Sequence, residues 1–223
     1  MSPELQRKLA VEFIGMFIFV FTVGMATNKL GAGALAPLAI GSVLMVMVFA
    51  GGHVSGGHFN PAVSAAVFVR GRMAANEFGF YIATQFVAAV IAGLVVRYVG
   101  GREAHAVVAS SGKMLIAEFI FTFALAWVVL HVATARGTHG NSFYGLAIGF
   151  TVVAGAFAVG GISGGAFNPA IALGAMVTGL FEWSNIWIYL IADFLGGAAA
   201  AYAFLFVLPG EKFAGDIEAA STE

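Results

Sequence analysis

Apolar residues run along this chain in long, nearly unbroken stretches rather than on one face of a helical or strand period. Six of them, Leu9 to Thr27, Leu35 to Gly52, Phe78 to Val99, Met114 to Ala135, Phe143 to Gly160 and Ile186 to Leu208, are close to the length that crosses a bilayer. A spanning helix needs about 20 mostly apolar residues, so each stretch predicts a transmembrane helix. Two more apolar runs are too short to cross: Pro61 to Val69, stopped by Arg70, and Pro169 to Leu180, stopped short of Glu182. Segments of that length predict helices that enter the membrane and turn back. The fold class expected is an all-α membrane protein of six spans and two re-entrant half-helices.

The pattern is written twice. Gly52 to Val63, GHVSGGHFNPAV, returns as Gly160 to Ile171, GGISGGAFNPAI, with eight of twelve positions identical at an offset of 108. Upstream, AVEFIGMFIFVF from Ala10 is echoed by IAEFIFTFALAW from Ile116. The halves, about 1–108 and 109–223, each read as span, span, loop motif, span, and together form one domain. An odd number of spans per half forces the second half to enter from the opposite side, which makes the halves inverted copies.

The repeated motif has a physical meaning. Asn followed by Pro starts a helix, because Asn caps free backbone N–H groups and Pro fits the first helical position, where no donor is needed. Asn60, Pro61 and Ala62, and Asn168, Pro169 and Ala170, therefore open the two half-helices. The Ser-Gly-Gly stretches before them, Ser55 to Gly57 and Ser163 to Gly165, are expected to be extended, with unpaired carbonyls that survive in a membrane only where they line a polar cavity. Inversion brings both half-helices together at mid-membrane with Asn60 beside Asn168. Each helix N-terminus carries roughly half an elementary positive charge. Two converging in a low-dielectric passage repel protons and metal cations, while the Asn amides donate hydrogen bonds to neutral solutes.

Composition narrows the alternatives. Hydrophobic residues make up 61% of the 223 positions and charged residues 9%, and the mean hydropathy is +0.96. A net charge of −1 without a long basic tract argues against nucleic acid as a partner. No cysteine is present, which removes disulfides, thiolate metal sites and cysteine nucleophiles. The histidines lack metal-ligand spacing, and no nucleophile–base pair or phosphate loop is evident, so neither an enzyme nor a cofactor is expected. The first stretch carries Glu12 and outruns a signal-peptide core, so it reads as a retained span. Arg7, Lys8, Arg70, Arg72, Arg136 and Lys212 share the side of the termini, against Lys29, Arg97, Arg102 and Lys113 opposite. That bias favours cytoplasmic termini in a plasma or bacterial inner membrane.

Paired FNPA loops, Phe59 to Ala62 and Phe167 to Ala170, within six spans and with Glu-Phe near the start of spans one and four, resemble the aquaporin or major intrinsic protein family. The resemblance covers nearly the whole chain. It implies an hourglass of six tilted helices plus two half-helices, a homotetramer with one pore per subunit, and Glu12 and Glu118 as acceptors for backbone N–H groups of the re-entrant loops. The carbonyls of Gly56, Gly57 and His58, and of Gly164, Gly165 and Ala166, would form a ladder of acceptors. It also places a selectivity filter at Ile40, Ala156, Gly165 and Ile171.

That filter departs from the family pattern, which has an Arg where Ile171 stands. Without the Arg a fixed charge and several donors are gone. Ala156 and Gly165 widen the ring and Ile40 makes it apolar. The filter should favour larger neutral cargo over water: polyols such as glycerol, urea, hydrogen peroxide, ammonia, dissolved gases or neutral metalloid hydroxides such as arsenite. A bacterial branch with an aliphatic residue in place of the Arg is associated with arsenic detoxification, and this chain is similar to it at Ile171. An ion-coupled secondary transporter, which shares inverted repeats and broken helices, and a structural or adhesion membrane protein are the rival functions.

Four further features stand outside this scheme. His53 reads as a packing and hydrogen-bonding residue, with a pH gate the lesser alternative. Asp193 falls midway along the last span with no evident equivalent in the first half, and could cap a loop, pair with a helix or touch the pore. Gly196, Gly197 and Ala198 to Ala201 are expected to permit close helix packing. His131 reads as an interfacial residue.

Overall fold

The computed structural model describes residues 1–29, 31–101 and 110–211. Arg102 and Lys212, two of the charges weighed for orientation, lie outside the described residues. The chain forms eight α-helices among the described residues: α1 (Pro3–Ala26), α2 (Ala36–Ser55), α3 (Pro61–Val69), α4 (Ala75–Gly100), α5 (Ser111–Thr134), α6 (Tyr144–Ser163), α7 (Pro169–Thr178) and α8 (Ile186–Val207). All but α3 and α7 are long and apolar enough to cross a membrane, so the chain is a multi-pass membrane protein.

Local chemistry sets the ends. Ser2 caps α1 by accepting from the Leu5 N–H at 3.2 Å, with Pro3 in the first turn. Helices α2 and α6 run on through Ser55 and Ser163, past the Gly52 and Gly160 expected from the sequence. They stop on the left-handed glycines Gly56 (φ 88°) and Gly164 (φ 91°), whose N–H groups close back onto the Gly52 and Gly160 carbonyls at 2.9 Å. The expected extended Ser-Gly-Gly stretches are therefore corrected. Each serine is helical, and the glycines that follow, Gly57 (φ 62°) and Gly165 (φ 66°) included, turn left-handed. Helix α7 ends at Thr178 rather than Leu180, because Gly179 adopts a left-handed cap at φ 92°.

The packing follows the repeat. Within the halves α1 lies against α4 and α5 against α8, while α2 and α6 meet across the halves. Each half-helix also crosses over, α3 against α8 of the second half and α7 against α4 of the first. Glycines allow the closest approaches. A Cβ on Gly197 would lie 2.4 Å from the Ala62 carbonyl oxygen, and one on Gly196 2.7 Å from that of Phe119. The same holds where α2 crosses α6, since a Cβ on Gly41 or Gly149 would meet the other's carbonyl oxygen at 2.5 Å. Small residues are how helices gain contact in lipid, where burial of apolar surface gives no net drive.

A cluster of charged groups lies at the end that carries the N-terminus. Lys8 of α1 pairs with Glu77 of α4 at 3.1 Å. Arg70, at the end of α3 and only 1% exposed, donates to Glu211 Oε2 at 2.7 Å and to the Thr134 carbonyl at 2.8 Å, with its guanidinium 4.8 Å from the Phe204 ring centre. Glu211, in a 3-10 turn Pro209–Glu211, also accepts from the Arg136 N–H at 2.8 Å, and Arg136 donates to the Gly210 carbonyl. The segment after α8 is thereby tied to the foot of the first half-helix.

Burial alone would raise the Glu211 carboxyl, but the Arg136 N–H and the Arg70 guanidinium hold it below its ordinary value of 4.5. A carboxyl lowered by folding stabilises the fold above its unfolded value and loses that contribution as pH falls through the folded one. Glu211→Gln should melt below the wild type in detergent at neutral pH, and the gap should close in acid. A gap of constant size from neutral to acid pH would show that the ion pair does not stabilise the fold.

Candidate functional site

The two half-helices begin where the sequence places Asn-Pro-Ala, and both asparagines take extended backbone, Asn60 at φ −163° and Asn168 at φ −165°. Asn60 Oδ1 accepts from the Ala62 N–H at 2.8 Å and the Val63 N–H at 3.4 Å. Asn168 Oδ1 accepts from the Ala170 and Ile171 N–H groups at 2.9 and 3.3 Å. Pro61 and Pro169 occupy the first turn, where they cost no hydrogen bond.

The amide nitrogens cross between halves. Asn60 Nδ2 donates to the Phe167 carbonyl and Asn168 Nδ2 to the Phe59 carbonyl, each at 2.8 Å. Both asparagines are buried, and α3 touches α7 at this junction. An amide NH₂ has two donors, so each Asn keeps one N–H beyond its bridge. Phe59 and Phe167 stand at φ 42° and 49°, a left-handed conformation rare for a residue with a bulky side chain. Tertiary contacts must hold them there.

Those contacts come from the spans. Glu12 Oε1 accepts from the Ser55 hydroxyl at 2.8 Å and the His58 N–H at 2.9 Å, while Oε2 accepts from the Phe59 N–H and Gln85 Nε2, both at 2.8 Å. Glu118 takes the Ala166 N–H at 3.1 Å and the Phe167 N–H at 2.6 Å. Tyr81 donates to the Ser55 carbonyl at 2.7 Å and Tyr189 to the Ser163 carbonyl at 2.6 Å. The carbonyls of Gly56, Gly57, His58, Gly164, Gly165 and Ala166 accept no hydrogen bond from other described residues.

Around this junction, Gly165 lies beside Ala156, since a Cβ on the glycine would sit 3.5 Å from the Ala156 Cα. Ile171 is in the first turn of α7 and 4% exposed, and Ile40 is partly buried on α2. A cavity of about 940 Å³ opens at the end that carries the chain's N-terminus, lined by Lys8, Arg72, Glu77, Arg136 and His139 and reaching His58 and Tyr81. His53 is exposed in that cavity, which corrects its expected packing role. The histidine that packs is His58, whose Nδ1 lies 3.1 Å from Ser64 Oγ and whose ring is 5.2 Å from that of Tyr81. His131 is partly buried between Trp127 and Phe204.

Two antiparallel copies of one broken-helix unit, joined through crossed asparagines, decide the family. The chain belongs to the major intrinsic protein family. The model of that family, described as major intrinsic protein, matches residues 1–204. The chain is 34% identical over 223 residues to aquaporin NIP1-4 of Oryza sativa subsp. japonica, covering 95% of this chain and 81% of that one. It is 36% identical to the probable aquaporin TIP4-1 of the same plant, with 91% and 88% covered. Its fold is similar to the X-ray structure of the aquaglyceroporin from Plasmodium falciparum, with a TM-score of 0.78, 21% identity, and 94% of this chain and 100% of that one covered. As a member of this family the chain is a passive membrane channel for small neutral solutes and not an enzyme.

The sequence missed Gln85, Tyr81, Tyr189 and the place of Asp193. Asp193 has an equivalent after all. At the repeat's own offset it falls on Gln85, just as Tyr189 falls on Tyr81, and both aspartate and glutamine lie against the anchoring glutamate of their half. Carrying the 108-residue offset into the third spans, YIATQF against YLIADF, would have found the pair.

Asn168→Ala should remove the α7 cap and leave the Phe59 carbonyl without its donor. Loss of a cap costs about 1 kcal/mol, and an orphaned buried group about 1–3 kcal/mol. A clear fall in melting temperature, matched by Asn60→Ala, is the expected result in detergent.

Proposed function

We propose that the passage at Asn60 and Asn168 carries neutral solutes larger than water, glycerol, urea and arsenite among them, and rejects ions. The observation that carries this reading is the meeting of two helix N-termini whose asparagines each hold one N–H free of the bridge. A solute hydroxyl or carbonyl can accept from those donors. An ammonium, proton or metal cation meets two positive helix ends in surroundings too dry to screen them.

On either side of the asparagines, the unpaired carbonyls of the two glycine turns offer acceptors for a solute's own hydrogens. Donors at the centre and acceptors on the flanks suit molecules that do both. Ile40, Ala156, Gly165 and Ile171 then act as the filter. An isoleucine at 171 supplies neither charge nor donors, and a glycine at 165 beside an alanine at 156 leaves width. Water in single file is poorly held by such a ring and dewets there. The same reading has 1–223 as one channel domain, both termini in the cytoplasm, and a homotetramer in a plasma or inner membrane with one pore per subunit.

Stopped-flow measurements in proteoliposomes test it. Glycerol, urea and arsenite should enter in proportion to their gradients without a driving ion, faster relative to water than in a relative that keeps the Arg. Ile171→Arg should slow the larger solutes and leave water the least affected. Saturable uptake dependent on an ion gradient would point to a transporter, and unchanged arsenite and glycerol entry in Ile171→Arg would remove Ile171 from the filter.

A further inference from the structure

The two halves hold their re-entrant loops with different chemistry. In the first half, Gln85 Nε2 donates to Glu12 Oε2 at 2.8 Å and lies 3.1 Å from Ser64 Oγ, so the Glu12 carboxylate faces only donors. In the second half Asp193 occupies Gln85's place and Ala172 that of Ser64. Asp193 is 0% exposed; Thr122 donates to its Oδ1 at 3.0 Å, and its Oδ2 has no hydrogen-bond partner. It lies within hydrogen-bonding reach of Glu118, which is also 0% exposed, and beside the Asn168 backbone N–H.

Two ionised carboxylates are acceptors only and cannot hydrogen-bond to each other. Side by side in a dry interior they also repel, and an uncompensated buried charge is costly. None of the ion pairs Lys8–Glu4, Lys8–Glu77, Arg70–Glu211 and Arg136–Glu211 involves either carboxylate, and Tyr189, a titratable neighbour of both, has its hydroxyl committed to the Ser163 carbonyl. Glu118 already uses both oxygens for the Ala166 and Phe167 N–H groups. The one oxygen of the pair without a partner is Asp193 Oδ2.

We propose that Asp193 and Glu118 share one proton, held on Asp193 Oδ2 and donated to Glu118, so that Asp193 acts as the second half's positioning residue. The protonated carboxyl is then a donor to the anchoring glutamate, as the Gln85 amide is in the first half. Its other oxygen, Oδ1, accepts from Thr122. Asp193 fixes the loop that delivers Asn168 to the junction without itself touching the solute. The proton's place follows from the hydrogen-bond pattern alone, whereas the positioning role rests on the proposed pore.

Infrared spectroscopy of the full-length protein in lipid, compared with Asp193→Asn and Asp193→Leu, tests both parts. The wild type should show a carboxylic-acid C=O stretch at neutral pH that is absent from Asp193→Asn. Asparagine keeps a donor and an acceptor, so Asp193→Asn should retain the melting temperature and most of the solute flux. Leucine keeps neither, and Asp193→Leu should lose flux and melt lower. No acid band in the wild type, or one that persists in Asp193→Asn, would overturn the shared proton whatever the protein transports. With the band behaving as expected, a loss of flux in Asp193→Asn equal to that in Asp193→Leu would overturn the positioning role.

Discussion

Hydrocarbon cannot hydrogen-bond, and the structure is organised around that constraint at the one depth where two helices are broken. Interrupting a helix in mid-membrane frees N–H groups at the start of the new segment and C=O groups at the end of the old one. Here the freed donors of His58, Phe59, Ala62 and Val63, and their counterparts Ala166, Phe167, Ala170 and Ile171, find side-chain acceptors. The asparagine side-chain oxygens take the first amides of α3 and α7, and Glu12 and Glu118 take the amides of the turns that precede them. The crossed asparagine amides take the last carbonyl of the opposite loop. What stays unpaired is a set of carbonyls in the glycine turns, and only a polar passage makes that tolerable.

The bridge across the halves has a packing counterpart. Because each asparagine donates to the opposite loop, neither half completes its own break. The half-helices cross over in the same sense, α3 lodging against α8 and α7 against α4. Such proximity requires that a helix meet another's backbone directly, and Gly197 against the Ala62 carbonyl is where α8 does so. A side chain there would push α3 and its asparagine off the axis, so the small residues of the last span serve the junction as much as the bundle.

Much of this was legible in the sequence. The half-helix starts were readable because Asn-Pro fixes them locally, and the start of α3 at Pro61 needs no tertiary information. The six spans were readable to within a few residues, because length and apolarity set them. The glycine turns were not. A Ser-Gly-Gly run is compatible with extended and left-handed backbone alike, and the choice is made by the Glu12 and Glu118 carboxylates, which draw in successive amides and hold Phe59 and Phe167 at positive φ. Arg70 and Glu211 lie far apart in the chain, and nothing local marks them as a pair. Gln85 and Asp193 escaped because the third spans have diverged until little but a tyrosine and a phenylalanine keeps their register.

That divergence shows which features the fold constrains. At the loops the two halves agree closely in backbone: Gly56 and Gly164 differ by 3° in φ, Phe59 and Phe167 by 7°. Behind them the side chains differ. His58, Ser64 and Gln85 form a polar cluster in the first half, where the second has Ala166, Ala172 and Asp193. The glutamate common to both halves accepts the same two loop amides in each, so what stands behind it must supply one donor and need not be a particular residue. An amide meets that demand at Gln85, and a protonated carboxyl meets it at Asp193. The constraint therefore acts on hydrogen-bonding capacity at the loop, leaving residue identity free to drift one layer further out.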